Sequence, residues 1–133
     1  CAQLKSLDRY VKIRRKVFNY YNDNLKDIDG IKLMPEIING KSSRWLSAIL
    51  LTKKSHKEIE DIIKFYLKEN IEVRPLWKPM HLQPLFKGSL FYHSNRNPLS
   101  KVLFEHGLCL PSGSAMSKDD LDKIISILKD KNG

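Results

Sequence analysis

The chain has 133 residues, of which 41% are hydrophobic, and its formal net charge is +9. That size and apolar content suit a single domain over residues 1–133 with one core, and they exclude a chain of several full domains. The positive charge is compatible with an anionic ligand or a nucleic acid, but it identifies neither.

A long amphipathic helix is predicted from Ala2 to about Asn24, within a leading segment placed at residues 1–26. Apolar residues recur there at steps of three and four, and Arg14 occupies the one slot of the series that is not apolar. The apolar members are Leu4, Leu7, Val11, Phe18, Tyr21 and Leu25. The opposite face carries the cations Lys5, Arg9, Lys12, Arg15 and Lys16. Such a run is usually a solvated face, and a nucleic-acid contact is the minority interpretation.

Residues 27–133 are predicted to form a small α/β domain. Turn signals at Asp29-Gly30, Pro35 and Asn39-Gly40 leave room for one short extended segment between them. The run Arg44–Leu51 is apolar at both alternating sets of positions, which predicts a central strand of a sheet.

The middle of the chain predicts a helix, a short strand and a long loop. Ser55 and Glu58 have the spacing of a capping box, and the helix that they begin should end near Asn70. Residues 71–75 predict a short strand stopped by proline, which has no amide to donate. The loop that follows reaches about Pro98, and loops of this length within a small domain usually carry a function.

The last third predicts helix, strand and helix. Leu99–Gly107 should be a short helix with Gly107 as its C-cap, LCLPSGS a brief strand that ends in a turn, and Ser117 with Asp120 the start of the final helix. The order of elements predicts an α/β (α+β) domain, in which a mostly antiparallel sheet of about three to four strands carries helices on one face.

Cysteine content and apolar runs predict a cytoplasmic protein. The two cysteines, Cys1 and Cys109, provide no disulfide framework, which favours a reducing compartment. The longest apolar run, Trp45–Leu51, is far shorter than the roughly 20 residues that span a bilayer. The basic N-terminus has no apolar signal core, so we expect no membrane partner. Because the first residue is Cys rather than Met, we also expect the chain to be part of a longer protein.

Two short motifs have weak functional interpretations. His106 and Cys109 form an H-x-x-C pair, but a structural zinc needs four ligands and no second pair has ligand spacing, so we expect no metal site. Ser112 and Ser114 belong to PSGS, which precedes a helix and could present amides to an anion. The lysine and the glycine spacing of a P-loop are missing, so a capping turn is favoured there.

The stretch RPLWKPMHLQP, residues 74–84, is the strongest candidate for a binding site. Its three prolines fix the backbone and pre-organise whatever the loop presents. Its side chains offer several hydrogen-bond donors and one flat apolar face, which suits a polar, anionic ligand that contains a ring. These candidates are Arg74, Trp77, Lys78, His81 and Gln83. In the structural alternative, which composition leaves equally open, Trp77 and Met80 plug a core and the cations are solvated.

Three segments, SRWLSAILL, RPLWKPMHLQPLF and LFEHGLCLPSGSAMSKDDLDKIISIL, resemble in order and spacing the C-terminal domain of the DegT/DnrJ/EryC1/StrS family. These proteins are sugar-nucleotide aminotransferases, pyridoxal-phosphate enzymes of fold type I. The segment AQLKSLDRYVKIRRKVFNYY resembles the long helix that leads into that domain, so the resemblance covers nearly the whole chain. It implies the small domain of a larger enzyme, with the N-terminal cofactor-binding domain absent from this chain.

The resemblance implies a homodimeric enzyme that transfers an amino group, usually from glutamate, to a 4-keto or 3-keto sugar nucleotide. The nearest likeness is to members that make amino sugars for surface glycans. The cofactor lysine and the phosphate-binding loop belong to the large domain in this family, so the isolated chain should be inactive, hold no cofactor and supply no catalytic residue. By the same resemblance, Arg74, Trp77, Lys78, His81 and Gln83 are the expected substrate-binding residues, with Ser112 and Ser114 as outer candidates.

An alternative from another class is a non-enzymatic basic module that binds nucleic acid or another polyanion through the first helix. No recognised nucleic-acid-binding motif is present. The aromatic residues Phe18, Tyr20 and Tyr21 also follow the apolar seam rather than the cationic face, which disfavours this alternative.

Overall fold

A computed structural model describes residues 4–93 and 97–132, which form four α-helices and a four-stranded sheet. The helices are α1 (Leu7–Leu25), α2 (His56–Lys68), α3 (Leu99–His106) and α4 (Lys118–Asn132). The strands are β1 (Ile31–Leu33), β2 (Ser47–Leu51), β3 (Arg74–Pro75) and β4 (Gly107–Leu110). Short 3₁₀ turns occupy Leu4–Ser6, Met80–Leu82 and Pro84–Phe86. The mixed α/β fold and the long leading helix are confirmed.

Helix α1 buries only part of its apolar seam. Phe18, Tyr21 and Leu25 lie in the core, whereas Leu4 and Leu7 are 72% and 51% exposed. The core therefore begins about two turns into the helix. No helix within the described residues is both long and apolar enough to cross a membrane.

Both predicted N-caps are present. The Ser55 hydroxyl accepts a hydrogen bond from the Glu58 amide, and the Glu58 carboxylate accepts one from the Ser55 amide at 2.8 Å. Ser117 and Asp120 repeat this arrangement at the start of α4. The Ser55 and Ser117 hydroxyls also donate to the Glu58 and Asp120 carboxylates, each at 2.7 Å. These hydroxyl bonds, together with the bonds from the serine amides, hold the carboxyl pKa of Glu58 and of Asp120 below the usual value, because they favour the ionised form.

The sheet has the order β1-β2-β4-β3, and all its neighbours are antiparallel. Strand β2 pairs on both sides, which confirms the predicted central strand. It begins at Ser47 rather than at Arg44, because Arg44 has a φ of 49° and a left-handed residue cannot continue an extended strand. In β3, Arg74 lies opposite Cys109.

Side chains alternate between two faces of the sheet. Ile49, Leu51, Leu108 and Leu110 form one buried cluster with residues of α1, α2 and α4, so these three helices share the core face. The opposite face carries Ala48, Leu50 and Cys109, and it meets the short helix α3.

Gly107 directly follows α3, as predicted, but it is the first residue of β4 and has an extended conformation rather than a left-handed one. A Cβ at this position would come within 2.3 Å of the Leu103 carbonyl oxygen and of Leu76 Cδ1. Glycine is therefore required at position 107, because α3 and the residues that follow β3 lie too close to it to leave room for a side chain.

Candidate functional site

A cavity of about 460 Å³ opens on the sheet face opposite the core, where residues 74–78 leave strand β3. Its walls are mostly apolar and include two cationic side chains. The main lining residues are Trp45, Leu46, Arg74, Trp77, Lys78 and Phe104, with Cys109 of β4 beside them. Three of the five predicted site residues thus meet in one cavity.

Two tryptophans form the aromatic wall of this cavity. The indole rings of Trp45 and Trp77 stack with their centroids 5.8 Å apart and an interplanar angle of 29°. They are 59% and 65% exposed, and Met80 is 59% exposed. Trp77 and Met80 therefore do not plug the core formed by this chain, and the indoles present a large apolar surface.

Arg74 and Lys78 supply the positive charge of the cavity. The Arg74 guanidinium pairs with Glu72, with Nε and Nη2 at 2.8 Å and 2.6 Å from the same carboxylate oxygen. Both partners are mostly exposed, and such pairs contribute little to stability, so an anionic ligand could replace Glu72 at low cost.

His81 and Gln83 do not line the cavity. The His81 ring stacks on Phe91 at a centroid distance of 3.8 Å, and its buried Nε2 has no hydrogen-bond partner among the described residues. The Gln83 side-chain amide donates to the Lys78 carbonyl at 3.4 Å and contacts Met80 Sδ at 3.6 Å, so it braces its own loop. Two of the five predicted residues therefore lie outside the lining of the cavity.

Residues far from positions 74–84 in the sequence complete the cavity, and no local pattern predicts their place in the site. Trp45 precedes β2, Phe104 lies in α3, and Cys109 lies in β4. The signal that could have found Cys109 is the pairing of β3 with β4, since it puts Cys109 directly opposite Arg74. Burial raises the pKa of the Cys109 thiol, which indicates an inert cysteine rather than a nucleophile.

The PSGS segment is held as a structural turn. The Ser112 hydroxyl accepts a hydrogen bond from the Ser47 amide at 2.8 Å and donates one to the Leu110 carbonyl at 3.0 Å. Ser114 lies away from the cavity, in a separate hollow beside Arg14. These contacts favour the capping-turn interpretation of PSGS.

The basic face of α1 is largely exposed, as expected, and His106 of the H-x-x-C pair has a backbone contact. His106 Nδ1 lies 2.8 Å from the Lys54 carbonyl oxygen, and the described part of the chain holds no group of three or more His, Cys, Asp or Glu side chains suited to a metal. On α1, Arg15 differs from the solvated cations around it, because its guanidinium binds Glu36 at 2.7 Å and 3.0 Å. That pairing lowers the pKa of Glu36 to about 2.

Comparison with known proteins gives the family. Residues 1–129 match the model of the DegT/DnrJ/EryC1/StrS aminotransferase family. The chain belongs to that family. It is 44% identical over 128 residues to the "Putative pyridoxal phosphate-dependent aminotransferase EpsN" of Bacillus subtilis (strain 168), an alignment that covers 96% of this chain and 32% of that protein. It is 25% identical over 128 residues to a GDP-perosamine synthase of Vibrio cholerae, with 96% of this chain and 34% of that protein covered.

Solved aminotransferase structures share the fold of this DegT/DnrJ/EryC1/StrS chain. Helicobacter pylori PseC, an aminotransferase involved in the biosynthesis of pseudoaminic acid, superposes with a TM-score of 0.83 at 18% identity, over 98% of this chain and 34% of that one. A DegT DnrJ EryC1 StrS aminotransferase from Brucella abortus gives a TM-score of 0.77 at 24% identity, over 99% and 34% of the two chains. The chain therefore spans about a third of the length of the proteins that it matches.

The cofactor of this aminotransferase family is pyridoxal phosphate, and the cavity residues do not fit it on their own. A site for this cofactor needs a lysine for the aldehyde, a charged partner for the pyridine nitrogen and donors for the phosphate. Lys78 supplies an amine on an exposed loop, but no carboxylate and no hydroxyl side chain lines the cavity in the described residues. The cavity offers a stacking surface and two cations, but among the described residues it offers no group that would pair with the pyridine nitrogen of this cofactor.

Proposed function

We propose that this chain is the C-terminal domain of a pyridoxal-phosphate-dependent aminotransferase that aminates a keto sugar nucleotide for surface glycan biosynthesis. The proposal includes glutamate as the amino donor and a homodimer as the active form. It is supported by the family, and by a relative that is named as a GDP-perosamine synthase. The cofactor and its lysine would belong to the other two thirds of the enzyme, and the 133-residue chain alone would be inactive.

The observation that carries this proposal is the cavity at the end of β3, where stacked indoles stand beside two cations. A base or sugar ring gains apolar and stacking contact on Trp45 and Trp77. A diphosphate gains charge-assisted hydrogen bonds from Arg74 and Lys78. In this arrangement the chain binds and orients the sugar nucleotide and excludes water from one side of it.

The loop after the cavity has a second part in the proposal. The 3₁₀ turns Met80–Leu82 and Pro84–Phe86 fix the path of the backbone, and the Gln83 side chain ties the loop back to Lys78. His81 brings a buried ring nitrogen without a partner in the described chain, and such a group gains most from a new hydrogen bond. We propose that His81 and Gln83 complete the substrate site once the whole enzyme is assembled.

Steady-state kinetics of the complete enzyme test this proposal. Each of Arg74→Ala and Lys78→Ala removes a charge-assisted bond worth about 1.5–3 kcal/mol, so the KM for the sugar nucleotide should rise about tenfold or more. In this proposal the cavity binds only the sugar nucleotide, so the KM for glutamate should stay unchanged. Lys57→Ala, at an exposed cation of α2, is the matched control and should change neither constant.

The proposal for the loop fails if Arg74→Ala and His81→Ala both leave the Michaelis constants and the turnover at their wild-type values. The loop would then be a structural element, and the sugar nucleotide would bind elsewhere.

A further inference from the structure

Arg14 is the one polar residue in the apolar seam of α1, and the proposed function does not use it. Arg14 is half-buried, at the edge of the core: the next seam residue, Phe18, is buried, whereas the preceding one, Val11, is half-buried. A cation in such a position is unfavourable unless its N–H groups find acceptors, so its presence calls for a specific contact.

The guanidinium of Arg14 reaches the start of one strand and the end of another. Nη1 donates to the Trp45 carbonyl at 2.5 Å and to the Ser112 carbonyl at 3.3 Å. Trp45 lies two residues before β2, and Ser112 lies two residues after β4. Arg14 therefore ties α1 to the point where the chain enters the central strand.

Little else near Trp45 fixes its side chain. The ring is more than half exposed, so burial does not set its orientation, and its recorded aromatic contact is the equally exposed Trp77. The orientation of the indole then depends on the backbone of residues 44–46. Arg14 acts on that backbone directly, through the carbonyl oxygen of Trp45 itself.

We infer that Arg14 is a positioning residue, which holds Trp45 against Trp77 and so shapes the aromatic wall of the cavity. This positioning role needs a long side chain with a hydrogen-bond donor at position 14 of the seam. An aliphatic residue would satisfy the helix pattern but would leave the Trp45 carbonyl without its bond.

Circular dichroism of this chain tests the inference without reference to any substrate. Two coupled indoles produce a pair of circular-dichroism bands of opposite sign. The chain contains two tryptophans, so these bands report on Trp45 and Trp77 alone. Trp77→Phe gives the reference spectrum without the pair. Arg14→Leu completes the apolar seam, and we expect a folded protein whose indole signal has fallen to that reference.

Two further variants make the result decisive. Arg9→Leu is the same change at an exposed position of the same helix, and it should retain the full signal. Arg14→Lys keeps one cationic donor, so it should restore part of the signal; it also provides the test if Arg14→Leu does not fold. The inference is overturned if folded Arg14→Leu keeps the wild-type indole signal. It is also overturned if Arg14→Lys loses the signal as completely as Trp77→Phe does.

A second readout rests on the proposed function. In the complete enzyme, Arg14→Leu should raise the KM for the sugar nucleotide about tenfold and leave kcat within about twofold, because a single hydrogen bond to a binding wall is lost. Trp77→Ala separates the two ideas. If Trp77→Ala leaves this KM unchanged, the cavity is not the substrate site and the proposed function fails, while the spectroscopic result still decides the role of Arg14.

Discussion

Two buried serines at the junction of β2 and β4 respond in opposite ways to the same substitution. The Ser112 hydroxyl is the acceptor for the Ser47 amide and a donor to the Leu110 carbonyl. The Ser47 hydroxyl is buried and has no partner among the described residues. Alanine at position 112 therefore removes the partner of a buried amide, whereas alanine at position 47 removes an unsatisfied group.

The structure gives the size of each effect. A buried donor left without an acceptor costs about 1–3 kcal/mol, so Ser112→Ala should lower the free energy of unfolding by that amount. Ser47→Ala removes a desolvated hydroxyl that gains nothing in return, and it should be neutral or raise stability by up to about 1 kcal/mol. In a domain of this size each kcal/mol moves the Tm by about 3–6 °C, so the two variants should separate clearly.

Urea and thermal unfolding followed by circular dichroism measure both changes. Ser126→Ala, at an exposed position of α4, is the matched control and should stay within about 0.5 kcal/mol of the wild type. The reasoning is refuted if Ser47→Ala loses as much stability as Ser112→Ala, because the Ser47 hydroxyl would then have a partner that holds β2 in place.

Two other predictions follow from α1 and its contacts. Hydrogen bonds from the Arg15 side chain and then from the Ser42 amide lower the Glu36 pKa from 4.5 to about 2, so the contribution of this carboxylate to stability is present above pH 4.5 and is lost as the pH falls toward 2. The difference in the free energy of unfolding between wild type and Glu36→Gln, measured by urea unfolding, should narrow over that window. A constant difference would contradict these contacts. Leu25→Ala should cost about 2–5 kcal/mol because Leu25 is fully buried, while Leu7→Ala should cost less than about 0.5 kcal/mol. Equal losses in urea unfolding would show that the start of α1 packs in this chain.

Local chemistry made several elements predictable. A capping box acts over three residues, so Ser55 and Ser117 could be recognised from the sequence, and the starts of α2 and α4 followed. The start of β2 could not be predicted in this way. Arg44 adopts its left-handed backbone where its guanidinium lies 3.7 Å from the Phe18 ring centroid and donates to the Met34 carbonyl at 2.8 Å. These contacts link separate segments, and no local pattern contains them.

The candidate site likewise has a part that local sequence predicts and a part that depends on long-range contacts. Arg74, Trp77 and Lys78 lie within five residues of one another, and the prolines around them suggested a pre-organised binding loop. The rest of the lining includes Trp45 and Phe104, which meet that loop because the sheet order places β4 between β2 and β3. Arg14 stands between the two cases: the periodicity of α1 identified it as an exception, but its partners became known from the fold. A polar residue in an apolar seam, such as Arg14, therefore indicates from sequence that a long-range contact is needed. The fold then decides which residues provide that contact.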